Sequence, residues 1–329
     1  MSAARFCAPP TAVVLLRSIA MAARLRSQTI RSLRIATLAA VAVLAASRAP
    51  AQEGAPAAPA APPGDTGQAA PAAASPAAKA PNEARALLDA VNKLDDTTRS
   101  WTDRTQRMKL HIVDGRGIER NREMIMRTLK RPNGEDKTTT VFIVPAEVRG
   151  TSFLQFAHKD RDAEQWLFLP ALGRIRQISA QSKSESFMGT DFSYRDLELL
   201  TDVFEWTDDE ATVKLVGNEQ IDGRDAALID VVPKKKDVGY QRIRLLLERN
   251  DLILRRMEFF GSGDVPKKRL RLDDVRNVQG IPTAFTLEMV QPPLNSKTDV
   301  TVVDVKYNQN LPEDMFTTRA LERGALDAE

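Results

Sequence analysis

The chain is poor in the residues that usually carry chemistry. Among 329 residues there is one cysteine, Cys7, and there are two histidines, His111 and His158. A zinc site would have to use both histidines together with carboxylates, and no Asp or Glu stands one or two positions from His111, so His111 reads as a surface residue on the charged side of a strand. No histidine-based triad assembles. A glycine-rich turn between a strand and a helix is also missing: Gly189-Thr190-Asp191 lacks the phosphate-loop pattern, which leaves nucleotide chemistry without support. No apolar run reaches the ~20 residues that a membrane-crossing helix needs. The acidic clusters Asp208-Asp209-Glu210, Asp273-Asp274 and Asp160, Asp162, Glu164 lack the alternate-residue oxygen spacing and central glycine of a calcium loop, and they read as solvated turns. No residue pairing offers an activated nucleophile, so neither an enzyme nor a cofactor is expected.

What is present begins with an export signal. Arg24, Arg26, Arg31 and Arg34 precede the apolar run from Ile35 to Ala46, and Ala49-Pro50-Ala51 supplies a small-x-small cleavage site before Gln52. Residues 1–51 are the signal-peptide region, with Met21 as the expected start of the leader. This region holds seven arginines and no acid, so 40 basic residues remain against 44 acids once it is removed. The mature chain is then close to −4, and the basic character that would invite a nucleic-acid partner belongs to the leader. Cys7 leaves with it, so the mature chain has no disulfide and no lipid-accepting cysteine. Residues 52–81 are almost entirely Ala, Pro and Gly, a disordered and fairly stiff linker. One domain is expected over 82–329.

Within that domain, Asn82 to Thr98 places Leu87, Leu88, Val91 and Leu94 at helical spacing. The period then changes to two. Met108, Leu110 and Ile112 alternate with Arg107, Lys109 and His111; Ile243, Leu245 and Leu247 alternate with Arg242, Arg244 and Glu248; Leu270 and Leu272 alternate with Arg269, Arg271 and Asp273. Each run has one apolar face and one solvated face, and turn signals such as Asp222-Gly223 and Gln279-Gly280 separate the runs at hairpin intervals. A meander of roughly ten antiparallel strands must bury its apolar face by closing or by accepting helices. Further helices are expected only at Ser193 to Leu200 and Thr317 to Arg323. The fold class is therefore mainly β with a few helices (α+β), a curved antiparallel half-barrel closed by a helical lid.

The densest stretch runs from Trp166 to Leu197. Trp166 and Phe168 alternate with Leu167 and Leu169, a strand apolar on both faces. Arg174 and Arg176 share one face of the next strand, opposite Ile175. Phe187, Met188, Phe192 and Tyr194 then crowd a loop leading into the helix at Ser193, where Asp196 complements the helix dipole. These eight residues form either a core aromatic cluster at a lid hinge or the mouth of an apolar cavity, with the arginines placed for phosphate or carboxylate. The basic trios Lys234-Lys235-Lys236 and Lys267-Lys268-Arg269 suit anionic headgroups or an acidic partner, and equally suit strand ends that resist edge pairing.

At WLFLPALGRIRQIS, SFMGTDFSYRDL, IDGRDAALIDVVPK, YQRIRLLLERNDLILRRMEFF and RLDDVRNVQGIPTAFTLEM the chain resembles the outer-membrane lipoprotein-sorting proteins of the LolA-like superfamily, in a divergent branch associated with efflux-type transporters. The likeness spans most of Asn82 to Phe316. It implies a LolA/LolB-like incomplete barrel with a helical lid around an apolar cavity for acyl chains. It further implies a periplasmic, non-enzymatic carrier or chaperone of lipoprotein acyl chains or other envelope lipids, monomeric, with peripheral membrane contact and an inner-membrane transporter as a partner. The alternative is an adaptor or scaffold of a membrane transporter with a packed interior and no lipid cargo.

Overall fold

The computed structural model describes residues 82–131 and 134–323. The expected signal-peptide region and the Ala/Pro-rich linker lie outside the described residues. Helix α1 (Asn82–Asp96) leads into β1 (Asp103–Val113), β2 (Glu119–Leu129), β3 (Lys137–Val144), β4 (Ser152–Phe156), β5 (Glu164–Leu169) and β6 (Arg174–Gln177). Helix α2 (Tyr194–Glu205) then precedes β7 (Ala211–Ile221), β8 (Arg224–Pro233), β9 (Arg242–Glu248), β10 (Leu254–Phe260), β11 (Pro266–Val278), β12 (Ile281–Gln291) and β13 (Ser296–Tyr307), and α3 (Thr318–Arg323) follows. The thirteen strands form one open, curved antiparallel sheet in the order β6-β5-β4-β3-β2-β1-β13-β12-β11-β10-β9-β8-β7. The half-barrel expected from the alternating pattern is present, with three more strands than expected.

The two-residue period decides which face each side chain joins. Met108, Leu110 and Ile112 of β1, Phe153 of β4, Leu167 of β5, Ile243, Leu245 and Leu247 of β9, and Met257 and Phe259 of β10 are buried in one continuous core on the inner face. Helix α1 adds Ala84, Leu88 and Val91 to it, and α2 adds Leu199 and Val203. Helix α2 continues five residues beyond the expected end at Leu200. The polar pair Thr201-Asp202 looks like a stop, yet Val203 stands four residues from Leu199 and repeats its contact with the core.

The alternate positions face outward. Leu154 and Phe168 join Phe316 and Leu321 in a separate cluster, with Trp166, Phe156 and Ile175 packed around it. Helix α3 therefore covers the outer face of β4 to β6, and of the three expected lid helices only α1 and α2 lie inside. Glu313 ties this cover down through Arg131 and through Lys137 at 2.7 Å. Phe316 is fully buried. Phe316→Ala is expected to cost ~3–5 kcal/mol in urea denaturation. A loss smaller than about 1 kcal/mol would show that the outer cover contributes little to the fold.

Candidate functional site

The segment between β6 and α2 crosses the inner face and fastens to both halves of the sheet. Its left-hand anchor is aromatic. Phe187 has its ring centroid 5.2 Å from Phe153, 5.6 Å from Tyr194 and 5.9 Å from Phe142, so rings from β3, β4, the loop and α2 meet edge to face or tilted. After Phe187 the chain reverses: Phe187 N–H donates to the Phe192 carbonyl at 2.7 Å, and Met188 and Gly189 adopt left-handed φ of 53° and 73°. Methionine rarely takes that conformation, and the Arg122 guanidinium, which donates to the Met188 carbonyl, holds it there.

The right-hand anchor is polar. The Asp191 carboxylate accepts from Thr298 Oγ1 at 2.7 Å, from Gln291 Nε2 at 3.0 Å and from the Ser296 hydroxyl, and its own N–H donates to Thr298 Oγ1. Two residues on, Ser193 forms a capping box with Asp196 at the start of α2: Asp196 N–H donates to Ser193 Oγ at 3.1 Å and Ser193 N–H to Asp196 Oδ2 at 2.7 Å. Asp196 is fully buried. Lys268 Nζ donates to its Oδ2 at 2.6 Å and to the Asp191 carbonyl at 2.9 Å, and Tyr240 OH donates to Oδ1 at 2.7 Å. Burial and the adjacent Asp196 charge hold the Tyr240 phenol far above its usual range, so it stays a donor.

Of the eight residues expected at one mouth, the structure brings four together here: Phe187, Met188, Phe192 and Tyr194. Trp166 and Phe168 are elsewhere. They occupy the outward parity of β5, under α3, because Leu167 takes the inward position between them. Arg174 and Arg176 lie on the edge strand β6 opposite Leu169 and Leu167, and both are exposed. Arg176 reaches Ser182 Oγ at 3.3 Å. Lys268 is not part of a surface basic patch but points inward, and Asp273-Asp274 lies within β11 and not in a turn. The residues that sequence reading missed, Arg122 and Lys268, had left a signal. Arg122 shares parity with Met124 and Met126, and Lys268 with Leu270 and Leu272, so each is a cation written into the apolar phase of a strand.

Helix α2 also carries acids on its flank. Glu198 is buried in an ion pair with Lys183 at 2.6 Å and Arg195 at 2.6 Å, and burial raises its pKa nonetheless. One turn further, burial and then the charges of Glu198 and Glu205 push the Asp202 carboxyl up to about 7. The inner face is not covered evenly. Leu272 pairs across the sheet with Leu287, Leu287 with Val300, Val300 with Leu110, and Leu110 with Arg122. This row is apolar until it reaches the arginine that grips the loop. Leu272 and Leu287, with Leu254 and Phe285 beside them, are only partly covered. A surface cavity of about 260 Å³ lies elsewhere, lined by Arg224, Asp225, Glu248, Asn250 and Asp251. Among the described residues, no three His, Cys, Asp or Glu side chains cluster to hold a metal, and no helix is long and apolar enough to cross a membrane.

A family model described as that of an uncharacterized protein matches residues 134–323. No curated protein matches the sequence. A Vibrio parahaemolyticus domain, whose name assigns it provisionally to outer-membrane lipoprotein sorting, is 25% identical with a TM-score of 0.65, over 72% of this chain and 98% of that one. A DUF1329 family protein of Desulfovibrio piger is 27% identical with a TM-score of 0.66, over the same 72% and 98%. A LolA superfamily protein of Nitrosomonas europaea shares the fold at 18% identity and a TM-score of 0.55, again over 72% and 98%. The family match spans more than half of the chain, which belongs to that family, and its fold is LolA-like.

Two outcomes follow. Asp196→Ala leaves the Lys268 ammonium buried without its carboxylate and is expected to cost ~3–5 kcal/mol of stability, with Tyr240→Phe costing ~1–2 kcal/mol. Asp202 binds its proton more tightly folded than unfolded, so it makes the native state less stable as pH rises from about 4 to about 7, and the loss is complete above that window. Asp202→Asn should therefore stabilise the protein by roughly 1–3 kcal/mol at pH 8 and by nothing at pH 4, as measured by thermal melting across pH.

Proposed function

We propose that this protein is a non-enzymatic periplasmic carrier of acyl chains, belonging to lipoproteins or to other envelope lipids, which lodge on the half-open inner face beneath α1, α2 and the Phe187–Phe192 loop. The partly covered row Leu254, Leu272, Leu287 and Phe285 is the observation that carries this reading. These residues have inward parity on neighbouring strands, yet the helices do not bury them, and a flexible chain laid along them gains ~25 cal/mol for each Å² of apolar surface removed from water. The similarity to the lipoprotein-sorting domain of Vibrio parahaemolyticus supports the same class of cargo. Phe187, Met188, Phe192 and Tyr194 act as the lid, with Arg122 at the end of the apolar row as its catch. Export through the leader with cleavage near Ala51 delivers a monomer to the periplasm, where an inner-membrane transporter is its partner.

A second reading is a transporter adaptor with a filled interior. It is favoured by the full burial of Leu88, Leu199 and Val203 against the sheet. Titration with a fluorescent fatty-acyl probe separates the two. The carrier binds the probe, and Leu272→Gln together with Leu287→Gln weakens binding at least about tenfold while circular dichroism stays unchanged. A folded wild-type protein that binds no probe and carries no lipid in native mass spectrometry would leave the adaptor reading in place.

A further inference from the structure

The two ends of the sheet differ in a way that the interior does not explain. In an antiparallel meander, alternate turns emerge at opposite ends. The turns at 114–118, 145–151, 170–173, 234–241, 261–265 and 292–295 share one end, and those at 130–136, 157–163, 222–223, 249–253 and 279–280 share the other. Along the first end, five consecutive turns each carry or border an exposed large apolar residue: Leu172, Val144, Ile118, Leu294 and Val265 in rim order, between 37% and 74% exposed. Among the described residues, none of the exposed large apolar side chains lies in the turns of the second end. Neighbouring tips are in contact, since a Cβ on Gly115 would sit 2.3 Å from the Leu294 carbonyl oxygen.

Cations flank these tips. Arg149, Arg174 and Lys267 are exposed and have no acidic partner among the described residues. Three acids at the same end are already engaged: Asp264 by Arg242, Asp114 by Arg116, and Glu119 by His111. Glu147 is exposed there, without such a partner among the described residues. Protruding aliphatic tips with unpaired arginine and lysine beside them match an interface whose outer layer is anionic phosphate and whose inner layer is hydrocarbon. A protein partner of ordinary polarity would not need exposed aliphatic side chains on five separate turns. The Asp191 anchor, which rests on Gln291, Ser296 and Lys268, lies at this same end of the sheet.

We propose that this rim docks the protein on an anionic phospholipid surface. The Leu172, Ile118, Leu294 and Val265 tips enter the headgroup layer, and Arg149, Arg174 and Lys267 meet phosphate. Docking is independent of whether the interior carries a chain. The test is flotation of the mature chain, from Gln52 onward, with vesicles of phosphatidylcholine alone or mixed with phosphatidylglycerol. Wild type is expected to float with the mixed vesicles, to release in high salt, and to leave pure phosphatidylcholine unbound. Ile118→Asp with Leu294→Asp, and separately Arg174→Glu with Lys267→Glu, should each weaken vesicle binding about tenfold or more without shifting the melting temperature. Val303→Asp, exposed on the outer face away from the rim, should bind as wild type does. Three outcomes would overturn the dock: wild type binding neither vesicle, rim variants binding as wild type, or Val303→Asp losing as much as the rim variants. Rim variants that keep vesicle binding but lose a copurifying protein would assign the rim to that protein. Loss of vesicle binding with acyl-probe affinity intact would leave the carrier reading untouched.

Discussion

The contact on which the rest of this structure depends is the buried carboxylate of Asp196. It cannot be solvated, so the fold surrounds it with the Lys268 ammonium, the Tyr240 hydroxyl and the Ser193 N–H. These groups come from β11, from the stretch before β9 and from the turn before α2, so one charge fixes three parts of the chain together. Its position sets where α2 begins. That start puts Leu199 and Val203 against the sheet and Tyr194 beside Phe187 and Phe153. A lysine-to-carboxylate pair in a dry place contributes little net stability compared with apolar packing, but it rejects other registers strongly, because any slip leaves both charges unpaired.

Much of this was legible in the sequence. The change from helical to two-residue spacing after Asn82 to Thr98 gave the sheet, its curvature and its inner face, since Met108, Leu245 and Leu270 could be buried together in only one phase. The cap at Ser193 placed α2. What could not be read was which face of an all-apolar strand is inside. Trp166, Leu167, Phe168 and Leu169 offer no polar phase marker, and only tertiary packing shows that the tryptophan lies under α3. The polar anchors were hidden for the opposite reason. Lys268 sits within a run of three basic residues, and composition alone reads such a run as surface.

The inner face is thus divided into parts with different roles. On β9 and β10 the inward side chains Ile243, Leu245, Leu247, Met257 and Phe259 are fully buried and the sheet behaves as a core. Across β11 and β12 the coverage thins, and apolar side chains remain within reach of solvent without forming a surface patch. The loop carrying Phe187 and Asp191 spans the boundary, with aromatic rings on one side and hydrogen bonds on the other. Rings can slide against each other at modest cost, whereas the polar side must break several bonds at once. An opening motion would therefore pivot on Asp191 and Asp196 and swing on the phenylalanines.

The order of the strands carries a further consequence. Strands β1 to β6 form one run of adjacent hairpins and β7 to β13 another, and among the described residues the one pairing that joins the two runs is β1 with β13, from opposite ends of the domain. Every other ladder can form as soon as its two strands have been made, but this one must wait for almost the whole domain. The closing of that seam is thus the step with the highest loop entropy to overcome. Until it closes, the chain exists as two half-sheets with exposed apolar faces, and this interval is when the nascent protein is most open to proteases and to sheet-to-sheet association.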